Sequence, residues 1–196
     1  MSDLIALHRR VLETTTGIVA AVHPGQLPLP TPCGEWNLSQ LLAHMTGQNH
    51  GFAAVARGER SDASVFADRP VDDDPAAGFA ASAADVLSAF AEPGVLERDF
   101  WLPEVRNGIT LPGRIAVGFH FIDYVVHGWD VAAAIGVPIT FDAEVLAAGV
   151  PIAEAVPDDA SRKETGAAFA PGLDSTPDTD TFDRILRALG RDPDWR

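Results

Sequence analysis

The sequence predicts an all-α protein: a four-helix bundle over about residues 1–138 with a short C-terminal helical extension over about 139–196, forming one domain. Three observations lead there. Apolar residues recur at helical spacing in four long segments, 3–22, 38–57, 76–91 and 111–136. Proline and glycine punctuate the intervals between them. Four polar residues, His120, Asp123, His127 and Asp130, fall on one side of the otherwise apolar last segment, in a stripe about 80° wide at ~100° per residue.

In chain order, Leu4, Leu7, Val11, Ile18 and Val22 give the first helix one apolar face, which must end before Pro24 and Gly25. The four prolines of PGQLPLPTPCGEW forbid a helix and predict an extended connection. The second helix starts at Leu38, with Asn37 as cap and Gln40 at the capping-box position, and runs to about Arg57. Leu41, His44, Gln48, Gly51 and Val55 share a stripe on it, so His44 points inward, while His50 lies on another side. Residues 58–75, rich in Asp, Arg, Ser and Pro, read as an exposed crossover too long for a helical hairpin. The third helix, Ala76 to Ala91, closes at Glu92-Pro93-Gly94. Residues 95–109 are turn-punctuated, compatible with a hairpin whose turn is Asn107-Gly108. The fourth helix spans about Leu111 to Gly136. Beyond it, Asp142 to about Val156 and Asp180 to Leu189 carry helical patterns separated by a loop.

Composition excludes several partner classes. A net charge of −14, from 28 acidic against 14 basic residues, disfavours nucleic acid and anionic membrane surfaces. The N-terminal helix carries Asp3, His8, Arg9, Arg10 and Glu13, so it reads neither as a signal peptide nor as a membrane span. A single cysteine, Cys33, rules out an intrachain disulfide and fits a reducing, cytoplasmic setting. G-x-S-x-G, P-loop, G-x-G-x-x-G and C-x-x-C signatures are all absent.

What remains is the polar stripe. Two imidazoles and two carboxylates in a core are costly unless hydrogen-bonded, charge-paired or bound to a cation, and a metal satisfies them together. Asp123 and His127 at i, i+4 offer two donors from one helix and His44 a third from the second, a two-His, one-carboxylate set. The same residues are open to a plainer reading as a core histidine and a helix-packing pair. His120 is a fourth ligand, a packing residue or, ranked first, a pocket residue able to act as acid or base. Asp130 either accepts the second ring N–H of a ligand histidine or makes a salt bridge or cap. Cys33 is read as a small buried hydrophobe in preference to a reactive thiol, because no residue near it in sequence would activate it.

Residues 31–45, TPCGEWNLSQLLAHM, and 123–136, DYVVHGWDVAAAIG, resemble the DinB-like superfamily, in the actinobacterial branch near the N-terminal domain of mycothiol-dependent maleylpyruvate isomerase. The ending RILRALGRDPDW, residues 184–195, resembles the tail of an actinobacterial metal-binding family in that branch. The resemblance implies a bundle of up-down-down-up topology with a divalent metal, zinc or nickel, held by His44, Asp123 and His127. The isomerase carries glutamate where this chain has Asp123, and its substrate is not carried over. The function so implied is a mycothiol-dependent thiol S-transferase acting on a small electrophile. A metal-dependent hydrolase and a non-catalytic small-ligand or metal-binding protein are the alternatives. A homodimer is expected for bundles of this kind.

Overall fold

The computed structural model describes residues 3–34, 36–60, 62–71, 74–105, 108–164 and 167–196. Six helices and one hairpin make up the regular structure of these residues: α1 Leu4–Val19, α2 Leu38–Ala56, α3 Pro75–Phe90, β1 Asp99–Leu102, β2 Ile109–Pro112, α4 Gly113–Ile135, α5 Ala143–Ala155 and α6 Thr181–Ala188. The all-α expectation holds, with a two-stranded antiparallel sheet as the one exception.

Packing pairs α1 with α4, α2 with α3, α1 with α3 and α2 with α4, which closes a ring in which α1 faces α2 diagonally. Side-chain contacts give the directions. His8 meets His120 and Thr15 bonds the Tyr124 carbonyl, so α1 and α4 run parallel. Asn49 bonds Ser82 and Arg57 bonds Asp85, so α2 and α3 run parallel. The ring of Phe52 meets His120 while that of His44 meets His127, so α2 and α4 run antiparallel. That order is up-down-down-up. A parallel α2–α3 pair obliges the crossover to travel the length of α2, about 28 Å at 1.5 Å per residue. Residues 57–74 are long enough to do so.

The crossover lies against α2 because α2 is notched by two glycines four residues apart. A Cβ on Gly47 would stand 2.5 Å from the Ala67 carbonyl oxygen, and one on Gly51 would run into the Phe66 ring. The 3₁₀ turn Ala63–Phe66 settles into that notch, with Phe66 only 2 % exposed.

Element ends differ from expectation for local reasons. α1 stops at Val19 because Ala21 and Val22 bond i→i+3 and tighten the last turn into the loop. α3 begins at Pro75, whose missing N–H costs nothing at the first helical position, under an Asp74 cap. α4 starts two residues late because Leu111 and Pro112 pair with Phe100 and Asp99. Gly108 at the hairpin turn has φ +102°, while Asn107 lies outside the described residues. α4 ends at Ile135 and is capped by Gly136 at φ +69°, a left-handed stop at the place where the sequence expects the helix to end.

In the extension, α5 packs on α4 and α6 on α5. Arg162, 6 % exposed, gathers the intervening loop by donating to the carbonyls of Val156, Pro157, Ala170 and Ala188. This brings residues 189–191 back to the bundle. Among the described residues no helix is long and apolar enough to cross a membrane.

Candidate metal centre

The centre forms where α2, α4, the loop before α2 and the C-terminal tail converge. The reciprocal Asn37–Gln40 capping box fixes the start of α2. The backbone bonds Leu38→Leu29 and Ser39→Leu27 tie the preceding loop to it. His44 follows in the second turn, its ring 4.6 Å from that of Trp36 and 5.8 Å from that of His127.

One donor atom each from His44, Asp123 and His127 lies within 4.8 Å of the others. His127 Nε2 stands 3.4 Å from Asp123 Oδ1. Two donors each ~2.1 Å from a tetrahedral ion are about 3.4 Å apart, so this pair is spaced as two ligands of one ion would be. The His44 and Asp123 side chains are 23 % and 25 % exposed, whereas His127 is 3 % exposed, so the cluster is closed behind and open in front.

Both histidines have a carboxylate on a ring nitrogen. His127 Nδ1 is 3.0 Å from Asp130 Oδ2, and His44 Nδ1 is 3.5 Å from Asp68 Oδ1 on the crossover. Asp130 is fully buried and in turn receives Arg191, with Nε 3.0 Å from Oδ1 and Nη2 3.1 Å from Oδ2. Arg191 Nη2 also donates to Cys33 Sγ at 3.0 Å.

The charges follow from this arrangement. Burial alone would push the His127 ring down, but Asp123, the Asp130 hydrogen bond and Cys33 outweigh it and hold the ring well above its usual range. Burial, and next the repulsion of His127, lower His44 and favour its neutral, ligand-ready form. Burial opposes the Asp130 charge, yet Arg191 first and His127 next keep the carboxyl below its ordinary value. Where no cation is bound, a proton on His127 balances the carboxylates, and a divalent ion would replace it.

The donor atoms of a second trio, Cys33, His127 and Asp130, also lie within 4.8 Å of one another. There a guanidinium already bonds both the sulfur and the carboxylate, and a cation would be repelled by it. The His44, Asp123, His127 trio is therefore the one that fits a metal.

The structure does not bring His120 to this cluster. It is 1 % exposed, its Nδ1 is 2.8 Å from His8 Nε2, and its ring stacks on Tyr124 at 4.2 Å between Phe52 and Phe90. Four residues that sequence reasoning did not single out matter here. Asp68 sits in a stretch whose composition reads only as exposed loop, and Arg191 appears only within the tail resemblance. Glu104, in the hairpin turn, accepts a bond from Gln48 Nε2 at 2.9 Å. Its carboxyl is raised by burial first and by Asp68 and Asp123 next. His8, which in the sequence counts only among the polar residues that argue against a membrane span, is fully buried against His120.

Comparisons with known proteins bear on the family and the fold. Two uncharacterized proteins from two strains of Mycobacterium tuberculosis are each 34 % identical over 143 residues, 73 % of this chain and 73 % of theirs. Two crystal structures of the mycothiol-dependent maleylpyruvate isomerase, one of a point mutant, match with a TM-score of 0.68 at 14 % identity. The match covers 98 % of this chain and 90 % of those chains, which shows a shared fold. The family model described as the mycothiol maleylpyruvate isomerase N-terminal domain matches residues 8–132, a span that includes His44, Asp123, His127 and Asp130. The chain belongs to the mycothiol maleylpyruvate isomerase N-terminal domain family.

Proposed function

We propose that the protein is a metal-dependent thiol S-transferase: His44, Asp123 and His127 hold one zinc or nickel ion, and mycothiol is the thiol presented to a small electrophile. The observation that carries it is the trio of donors, two of them 3.4 Å apart, closed behind and open in front. Membership of a mycothiol-related family supports the choice of thiol. Held by His44, Asp123 and His127, a divalent ion would supply the charge that lowers a thiol pKa toward neutrality.

The chain's own residues do the rest. Asp130 accepts the Nδ1–H of His127 and so leaves Nε2 free to face Asp123. Asp68 plays the matching part for His44. Glu104, with its carboxyl raised and Gln48 holding Oε2, is placed to take or return a proton. His120, enclosed among aromatic rings, acts on the packing and electrostatics of the bundle. In the transfer itself the thiol proton passes to a carboxylate and the sulfur forms a C–S bond: with an epoxide the C–O bond opens and the resulting alkoxide takes the proton back, whereas with a chlorinated arene the C–Cl bond breaks, chloride leaves to solvent and the proton is released after it.

The test joins metal analysis to turnover. Purified protein should carry about one equivalent of metal per chain, and His44→Ala and His127→Ala should lose it while remaining folded. With mycothiol and an epoxide or chlorinated arene, conjugation should appear and stop on chelation, and Glu104→Gln should slow it without changing metal content. Metal content unaffected by both histidine variants would remove the ligand assignment. Thiol-independent ester or amide cleavage by the loaded protein would replace the transferase with a hydrolase.

A further inference from the structure

The tail of the chain reaches the back of the metal centre through one side chain. α6 docks through Ile185 and Leu186, and Leu189 follows, all at most 1 % exposed. Gly190 then turns at φ +74°, and the Arg191 N–H bonds the Leu186 carbonyl at 2.8 Å. The Arg191 side chain is thereby delivered, 3 % exposed, between Asp130 and Cys33.

We propose that Arg191 is the positioning residue that sets the donor set of the centre: it fixes Asp130 behind His127 and holds the Cys33 sulfur away from the ion. This rests on the assignment of His44, Asp123 and His127 as ligands. The fork of Nε and Nη2 takes both Asp130 oxygens, which fixes the carboxylate plane. With that plane fixed, Oδ2 receives His127 Nδ1 at 3.0 Å from one direction and the ring is aimed with Nε2 toward Asp123. The same Nη2 engages Cys33 Sγ, the soft donor of the alternative trio, which lies within 4.8 Å of a nitrogen of His127 and an oxygen of Asp130. A thiolate ligand from the chain itself would compete with an incoming thiol for the open position. Arg191 prevents that by giving the sulfur another partner. A lysine could restore the charge but not the fork.

Cobalt reports both parts, through affinity and through spectrum. Wild-type protein, Arg191→Gln, Arg191→Lys, Asp130→Asn, the double variant Arg191→Gln/Asp130→Asn, Arg191→Gln/Cys33→Ser and Leu186→Ala are titrated with Co²⁺ without added thiol. Arg191→Gln should bind about 10-fold more weakly or worse, the range expected for loss of an outer partner. It should also gain a thiolate-to-cobalt band that the wild type lacks and that vanishes with Cys33→Ser. The affinity loss should disappear in the Asp130→Asn background, and Arg191→Lys should recover part of it. Leu186→Ala trims an apolar side chain of the tail but keeps the Leu186 carbonyl that holds the Arg191 N–H, and should leave the cobalt spectrum unchanged. Wild-type affinity and spectrum in Arg191→Gln would overturn the inference, as would an equal loss with and without Asp130, or Leu186→Ala reproducing both effects. Failure of the wild type itself to bind Co²⁺ would overturn the ligand assignment, and is read on that protein alone.

Discussion

In the proposed centre a proton and a metal ion would compete for one nitrogen of His127. Nε2 faces Asp123 Oδ1 at 3.4 Å, Nδ1 is committed to Asp130, and the ring's affinity for a second proton is raised well above normal. A metal must displace that proton, so each pH unit below the His127 pKa should cost about tenfold in metal affinity. Competition titrations against a chelator between pH 6 and 8 should show affinity climbing with pH, and a flat profile would mean that His127 is not a ligand. Asp123→Asn tests the same nitrogen from the other side. It removes a donor and the charge that raises the imidazole, so affinity should fall by more than the ~10–100-fold that outer partners cost. The remaining pH dependence should also move to lower pH as the proton is held less tightly.

Among the elements, α2 carries two contacts that fix the site: the crossover in its glycine notch and Asp68 on His44. Gly51→Ala puts a methyl group into the Phe66 ring, an overpacking that should cost about 1–3 kcal/mol in urea denaturation. The damage should extend to metal affinity, because the displaced crossover brings Asp68. A variant with normal affinity and lowered stability would separate the crossover from the site. The ends of α2 and α4 were legible because their signals are local, the Asn37–Gln40 box and Gly136. The helical pairing of Asp123 with His127 was legible for the same reason. The fate of the α4 stripe was not, because reading four residues as one face assumes one neighbour. α4 is buried almost all round, by Val117, Phe121, Ile122, Val125, Val126 and Val131 as well as by the stripe. Its polar residues therefore part company: His120 turns to α1, Asp123 and His127 to α2, and Asp130 to the tail. Arg191 stands 61 residues from its partner and Asp68 reaches His44 only through the crossover, so neither contact leaves a periodic trace.

For the whole molecule, three buried histidines oppose one another in how stability depends on pH. Burial first, and Arg9 next, lower His8 to about 3, while burial and then His8 lower His120 well below its usual value. Between the unfolded value near 6.5 and those folded values, the unfolded chain binds protons the native bundle refuses. Stability contributed by this pair is present above pH 6.5 and is lost as pH falls. The slope is about 1.4 kcal/mol per pH unit for each proton. His127 has the opposite sign. Its folded pKa is raised, so its contribution is complete below 6.5 and is lost as pH rises through the folded value. Metal-free protein should therefore be most stable near pH 6.5 and weaken on both sides. Because the net charge of −14 shifts over the same range, the pair is read as a difference between proteins. A His8→Leu/His120→Leu variant removes both titrations together with His8 Nδ1 and His120 Nε2, which have no hydrogen-bond partner among the described residues. In urea titrations from pH 4 to 6.5 its slope should be shallower by up to two protons, and an unchanged slope would place the acid sensitivity elsewhere. If His127 is a ligand as proposed, saturating Zn²⁺ should reverse the alkaline limb alone, since the ion would take the place of the His127 proton and bind more tightly as pH rises.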